Sequence, residues 1–371
     1  SGSAGSADAG ACVDAAGEFD ELLDWSEAAN PGIYQPFSAT HVVHAPPVVG
    51  GGMMRDPATA RVMMMGGYQD QHLWNQLDGT FSGSTSFLEN AHLWCSGHTI
   101  TPQGSLFFAG GGGGDASNGI ASAFRFDHLI ADDGTWTTLA PMNYSRWYPT
   151  LTMLADGRVL VFGGLPADNC TGTGQGLCEI IPGCTWSGTV CEIENGYGQL
   201  VQQTPEIYDP ETNVWTLVEA AGFFPPLYPL MFLLPDGNVM YAGGENSSPV
   251  ADTNLDLTEG RVLVLNDGAP YWSERVYPSG LAGGSAVMYR PGQIMKSGGN
   301  GAPTSRTVFI ELPMTDVFPA NGQADYLDLN WLWEELPDNA GDMLEPRHFH
   351  QLTVLPNGHI AATGGNWFDN D

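Results

Sequence analysis

Two short words hold the residue types best suited to redox chemistry. His92-Leu93-Trp94-Cys95-Ser96-Gly97-His98 sets a thiol beside an indole and a glycine. Arg146-Trp147-Tyr148-Pro149-Thr150-Leu151 sets a phenol beside another indole. Gly97 permits close backbone approach next to the thiol. Cys95 and Tyr148 occupy equivalent places at the start of two successive repeat units, so the sequence predicts that they meet. A thiol and a phenol in contact could be plain core or a redox pair. The residues around them, and the elements that carry them, decide between those readings.

Tyr148 begins an apolar run that ends at Asp156-Gly157, and a second run, Arg158 to Phe162, ends at Gly163-Gly164. Two apolar runs around an Asp-Gly turn predict a β-hairpin. The unit recurs six times, its second strand stopping at Gly66-Gly67, Gly110-Gly111, Gly163-Gly164, Gly243-Gly244, Gly298-Gly299 and Gly364-Gly365. Those stops lie 44, 53, 80, 55 and 66 residues apart. The shorter intervals match a kelch-type blade of about 50 residues, and the longer ones hold insertions. Outer-strand segments between the hairpins lead to Trp136, Trp215, Trp272, Trp331 and Trp333, which are expected to fill the core between blades. One blade cannot cover both its faces, and radial stacking solves this. The fold class is therefore all-β, a kelch-type β-propeller with six inner hairpins. Residues 41–371 form the propeller, and residues 1–40 an N-terminal arm with one short helix over residues 19–25. The last hairpin has no outer strands after it. Either the segment near His41 to Val49 closes the ring, or the chain is the N-terminal part of something longer.

The formal charge is −31, from 42 acidic and 11 basic residues, and Lys296 is the only lysine. Such a field repels nucleic acid and anionic membranes, and both are excluded as partners. No run of 18 apolar residues occurs, so no helical membrane span is expected. Cys170, Cys178, Cys184 and Cys191 crowd one Gly/Thr-rich loop, which predicts two disulfides in one of three pairings and a secreted, extracellular protein. Zinc is the alternative for this loop, against loose spacings and no histidine. Cys12 and Cys95 remain. They pair with each other, or Cys95 is engaged elsewhere and Cys12 needs a partner outside the chain.

The Cys95 and Tyr148 words together resemble the copper radical oxidases, that is, galactose oxidase and glyoxal oxidases. Weaker similarity runs through Thr204-Pro205-Glu206-Ile207-Tyr208-Asp209-Pro210, Gly283-Gly284-Ser285-Ala286-Val287-Met288-Tyr289 and Arg347-His348-Phe349-His350. The resemblance implies a seven-bladed propeller when complete, with one copper ion on its axis. It implies that Cys95 bonds covalently to the ring of Tyr148, which ligates copper and carries a radical. Sulfur donating into the ring would lower the potential of that phenolate, and imidazole and phenolate ligands suit Cu(II). The implied reaction oxidises a small aldehyde or primary alcohol and reduces O2 to H2O2.

The chain departs from that family at the remaining ligands. The axial tyrosine and histidine of the last blade, and the second histidine of a following domain, have no counterpart. Arg347-His348-Phe349-His350 matches the penultimate blade, which implies that Phe349 lines the substrate pocket. Two accounts fit. The missing blade and C-terminal domain sit on a second polypeptide, or the propeller has lost its copper site and serves binding or structural assembly. Trp367 faces the pocket or covers the propeller mouth. Trp147, next to Tyr148 on a strand, is expected on the opposite face and so not to shield it. His98 is expected behind the site or in the core, and His350 as a ligand only if the blade count shifts by one. The other seven histidines show no metal-ligand spacing. Tyr144 is read as superficial, and Asn143, Asn169 and Asn246 open glycosylation acceptor words.

Overall fold

The computed structural model describes residues 41–45, 61–65, 71–75, 78–80, 93–112, 119–128, 134–166, 175, 184–189, 191–193, 202–223, 225–245, 258–265, 268–273, 277–299, 304–312, 332–337, 340–355 and 357–366. The expected N-terminal helix, Cys12, Cys170, Cys178 and Trp367 lie outside these residues.

Among the described residues six antiparallel blade sheets follow one another along the chain, and a seventh, two-stranded sheet is inserted within the third. The first is β1 (His41–Ala45), β2 (Arg61–Met65) and β3 (Gln71–Trp74). The second is β4 (Gly97–Ile100), β5 (Leu106–Ala109), β6 (Ala123–Asp127) and β7 (Thr135–Thr138). The third holds β8 (Trp147–Met153) and β9 (Val159–Leu165), then, beyond the inserted hairpin β10 (Cys184–Trp186) and β11 (Cys191–Ile193), β12 (Glu206–Asp209) and β13 (Val214–Leu217). The fourth is β14 (Leu227–Leu233), β15 (Val239–Glu245), β16 (Arg261–Val264) and β17 (Tyr271–Trp272). The fifth is β18 (Ser285–Arg290), β19 (Gln293–Ser297) and β20 (Thr307–Glu311), and the sixth pairs β21 (His348–Val354) with β22 (Ile360–Asn366). All six expected inner hairpins are present. The inner strand β8 packs between β4 and β14, and β18 between β14 and β21, as successive propeller blades require.

Core layers lie between the blades. Strand alternation sends Phe108 toward the first blade, among Met63, Leu73, Leu106 and Phe126. It sends Phe107 toward the third, among Leu151, Val161, Tyr208 and Trp215. Leu160, Ile207, Val239 and Leu263 fill the next layer, and Met240, Val262, Ile294 and Ile310 the one after. Each such side chain contributes about 1.5–3 kcal/mol on burial. The tryptophans Trp136, Trp215, Trp272 and Trp333 belong to these layers, as expected, and Trp331 lies outside the described residues. Three of them also donate an indole N–H back to the preceding blade: Trp215 to Ala140 O (2.8 Å), Trp272 to Ala221 O (2.6 Å), Trp333 to Tyr277 O (2.9 Å).

The Gly-Gly stops have a specific cause. A Cβ on Gly110 would sit 2.4 Å from Arg146 O, and one on Gly298 would sit 2.5 Å from Arg347 O. The end of one inner hairpin thus runs against the first residues of the next blade, and only glycine fits.

Candidate active site

Three side chains meet where the inner strands begin. Cys95 precedes β4, Tyr148 lies in β8 and Tyr228 in β14, on three successive blades. All three have left-handed backbone, with φ of 60°, 65° and 46°. Only one other non-glycine among the described residues shares this, Asn213 in a turn. The conformation costs an L-residue about 1–2 kcal/mol, and strain of this kind gathers at functional sites. Neighbouring blades are joined here by the Tyr148 N–H, which donates to Cys95 O at 3.0 Å. A Cβ on Gly97 would lie 2.1 Å from Leu151 Cδ1 and 2.9 Å from Pro149 O, so the expected close approach beside Cys95 is present.

Cys95 is buried, at 6% exposure. Burial pushes its thiol pKa up from the ordinary value, while hydrogen bonding from Tyr148, then Tyr228, opposes this. The Trp147 indole N–H also favours the thiolate, less than either phenol. Tyr148 and Tyr228 lie 4.9 Å apart between ring centroids, at 58°.

Trp147 departs from expectation. Its ring stacks on Tyr148, with centroids 4.2 Å apart and planes at 25°, and Trp94 lies 6.3 Å beyond. Alternation of faces holds only for extended backbone, and the positive φ at Tyr148 turns the two adjacent rings to one side. Trp147 therefore covers a face of the phenol.

Behind the site, Arg146 is fully buried. Its Nη2 forms an ion pair with Glu206 Oε1 at 2.9 Å and donates to Thr204 O at 2.7 Å, while Nη1 donates to Gly163 O at 2.8 Å. Glu206 also accepts from Asn143 N (2.7 Å), Asn143 Nδ2 (2.8 Å) and Tyr144 N (3.1 Å). Burial draws the Arg146 pKa down, and Glu206 opposes that. This cluster fixes the start of β8 and so the aim of Trp147 and Tyr148. It also commits the amide of the first glycosylation word.

The other sequence candidates fall elsewhere. His98 packs against Phe108 at 6.2 Å, on the core side. Tyr144 is 38% exposed, as expected. His350 is buried, its Nε2 3.1 Å from Ser297 Oγ. Its pKa is lowered to about 4 by burial, then by Arg347 and His348. Phe349 stands on β21 in the register place of Tyr148, because His350 pairs with Gly364 as Pro149 pairs with Gly163. Sequence reasoning missed Tyr228. The available signal was Leu227-Tyr228-Pro229, which repeats the pattern of Trp147-Tyr148-Pro149 one blade later.

Copper(II) takes imidazole and phenolate ligands with an open position. Tyr148 fits the phenolate place. Among the described residues, no group of three or more His, Cys, Asp or Glu side chains could complete the set. The described part of the chain thus holds a redox-capable pair and one candidate ligand.

The fold and the hub define an all-β kelch-type propeller in which adjacent blades press a thiol, two phenols and an indole together. The chain resembles the copper radical oxidases. Galactose oxidase of Gibberella zeae is 23% identical over 355 residues, 86% of this chain and 43% of the relative. The Artemisia annua protein Art an 7 is 26% identical over 289 residues, 73% of this chain and 42% of its own length. A fungal alcohol oxidase of the AA5 family, solved in complex with copper, superposes with a TM-score of 0.54 at 19% identity, over 89% of this chain and 61% of that one. The chain spans less than half the length of these curated relatives. No family model matches it.

Proposed function

We propose that this chain carries the radical-forming half of an extracellular copper radical oxidase. The enzyme oxidises a small aldehyde or primary alcohol and reduces O2 to H2O2. The observation that carries this reading is the meeting of Cys95 and Tyr148 from adjacent blades, joined by the Tyr148 N–H bond to Cys95 O at 3.0 Å and both under backbone strain. Bound copper supplies one-electron redox chemistry beside the phenolate. The chain's own residues prepare that phenol. A Cys95 thioether puts an electron-donating sulfur on the Tyr148 ring and eases its oxidation. Trp147 lies over the ring and keeps water from one face. Phe349 walls the substrate pocket, with Trp367 at its mouth. The remaining copper ligands come from a further blade and a C-terminal domain, on this polypeptide or a second one. The pairing of the loop cysteines and the tether role of Cys12 belong to the same reading.

A second reading is a non-catalytic extracellular propeller that serves binding or assembly. It is favoured by the lack of a metal-ligand group among the described residues. Peptide mapping of the purified full-length protein separates the two. The oxidase reading expects bound copper and one tryptic species joining the Cys95 and Tyr148 segments, lighter than their sum by two hydrogens. Separate peptides and no copper leave the binding module.

A further inference from the structure

Tyr228 has no part in the sequence argument, yet it sits at the hub with Cys95 and Tyr148. It shares their left-handed backbone, φ 46° beside 60° and 65°. Its ring lies 4.9 Å from that of Tyr148, inclined at 58° rather than stacked. Hydrogen bonding from the two phenols, Tyr148 first and Tyr228 second, favours the thiolate of the buried Cys95. Trp147 stacks on a face of Tyr148. A cysteine side chain has one rotatable bond to its sulfur, so a second, fixed hydrogen bond decides where that sulfur points.

We propose that Tyr228 is a positioning residue: its hydroxyl holds the Cys95 sulfur against the Tyr148 ring, so that the thioether forms there and nowhere else. This rests on the oxidase reading above. In the step, the S–H bond of Cys95 and one ring C–H bond ortho to the Tyr148 hydroxyl break, and one C–S bond forms. Two electrons and two protons leave, and dioxygen takes them all to become H2O2. Tyr228 is neither oxidised nor consumed. Hydrogen bonding from Tyr228 to the thiol can come only from its hydroxyl. A packing role needs only the ring, whereas this role needs the oxygen. The left-handed turn at Leu227-Tyr228-Pro229 serves the same end, because an extended residue there would carry the phenol away from the neighbouring blade.

The test uses the full-length protein purified copper-free, then given copper and air, with the joined Cys95–Tyr148 peptide followed by mass against time. Tyr228→Phe keeps the ring and loses the hydroxyl. Losing a hydrogen bond of this kind slows formation about tenfold, and the lost yield reappears as free thiol or as cysteine oxidised to sulfinic acid. Tyr228→Gln returns a hydrogen-bonding group without the ring and recovers part of the rate, which a packing role would not allow. Tyr144→Phe, a change to an exposed phenol, proceeds at the normal rate. A wild type that joins the peptides, with Tyr228→Phe equally fast, removes the role of Tyr228 and leaves the oxidase reading intact. A wild type that never joins them overturns both. Should either variant fold poorly, an experimental structure decides: a Tyr228 hydroxyl beyond about 4 Å from the Cys95 sulfur overturns the proposal.

Discussion

Glu206→Gln tests the claim that a buried ion pair aims the phenol. Glu206 and Arg146 have no exposed side-chain surface. The carboxylate meets Arg146 Nη2 at 2.9 Å and three further N–H donors from Asn143 and Tyr144. Glutamine keeps the shape but loses the charge, and its amide turns one donor toward another. Arg146 is then a buried cation without its counter-charge. Breaking such a pair costs about 3–5 kcal/mol. Arg146 keeps its bonds to Gly163 O and Thr204 O, which places the expected loss near the lower end, about 3 kcal/mol. The assay is urea unfolding followed by tryptophan fluorescence, for Glu206→Gln, Arg146→Met and the double variant. The double variant should be less destabilised than the two singles added, by about 1–3 kcal/mol, since removing both partners leaves no orphan charge. Arg146 O also accepts from Gly111 N at 2.9 Å, and Trp147 and Tyr148 follow it directly, so the yield of joined Cys95–Tyr148 peptide should fall as well. A Glu206→Gln protein within about 1 kcal/mol of wild type, or losses that simply add, would refute the reasoning.

Two further perturbations follow from the same geometry. Gly110→Ala places a methyl 2.4 Å from Arg146 O at a φ of 74°, and should destabilise by more than about 2 kcal/mol; a neutral outcome in the same unfolding assay would mean that the blades stand further apart. His350 is held near pH 4, below its ordinary 6.5, so the unfolded chain takes up a proton that the folded one refuses. Its contribution is complete above pH 6.5 and shrinks as the pH falls toward 4, by on the order of 3 kcal/mol at the bottom of that window. His350→Asn should flatten that part of the stability profile relative to wild type, and an unchanged slope would place the titration elsewhere.

The repeat was legible because each hairpin carries its own local punctuation. Asp156-Gly157 and Gly163-Gly164 mark turn and stop within one short stretch, and left-handed glycine stands at both. The tryptophan layers were legible because Trp215 and Trp272 sit on outer strands and Trp333 beside the Phe309–Glu334 bridge. Trp147 was misjudged because alternation assumes extended backbone, which Tyr148 abandons. The Arg146–Glu206 pair was hidden because it links residues 60 apart, and nothing local ties the two. Tyr228 was hidden because its word lacks the cysteine or tryptophan that made the others stand out.

The left-handed turn at the head of each of three neighbouring blades has a consequence for how this hub varies. It presents a side chain sideways to the next blade, whichever residue stands there. The Tyr148 amide that seals one such junction bonds to a backbone oxygen, not to a side chain. Exchanging the side chain at one of these sockets therefore alters the chemistry at the centre while the seam between blades stays closed. A ring of similar sockets can thus change from inert packing to electron transfer by one-residue steps, without first rebuilding the barrel of strands around it.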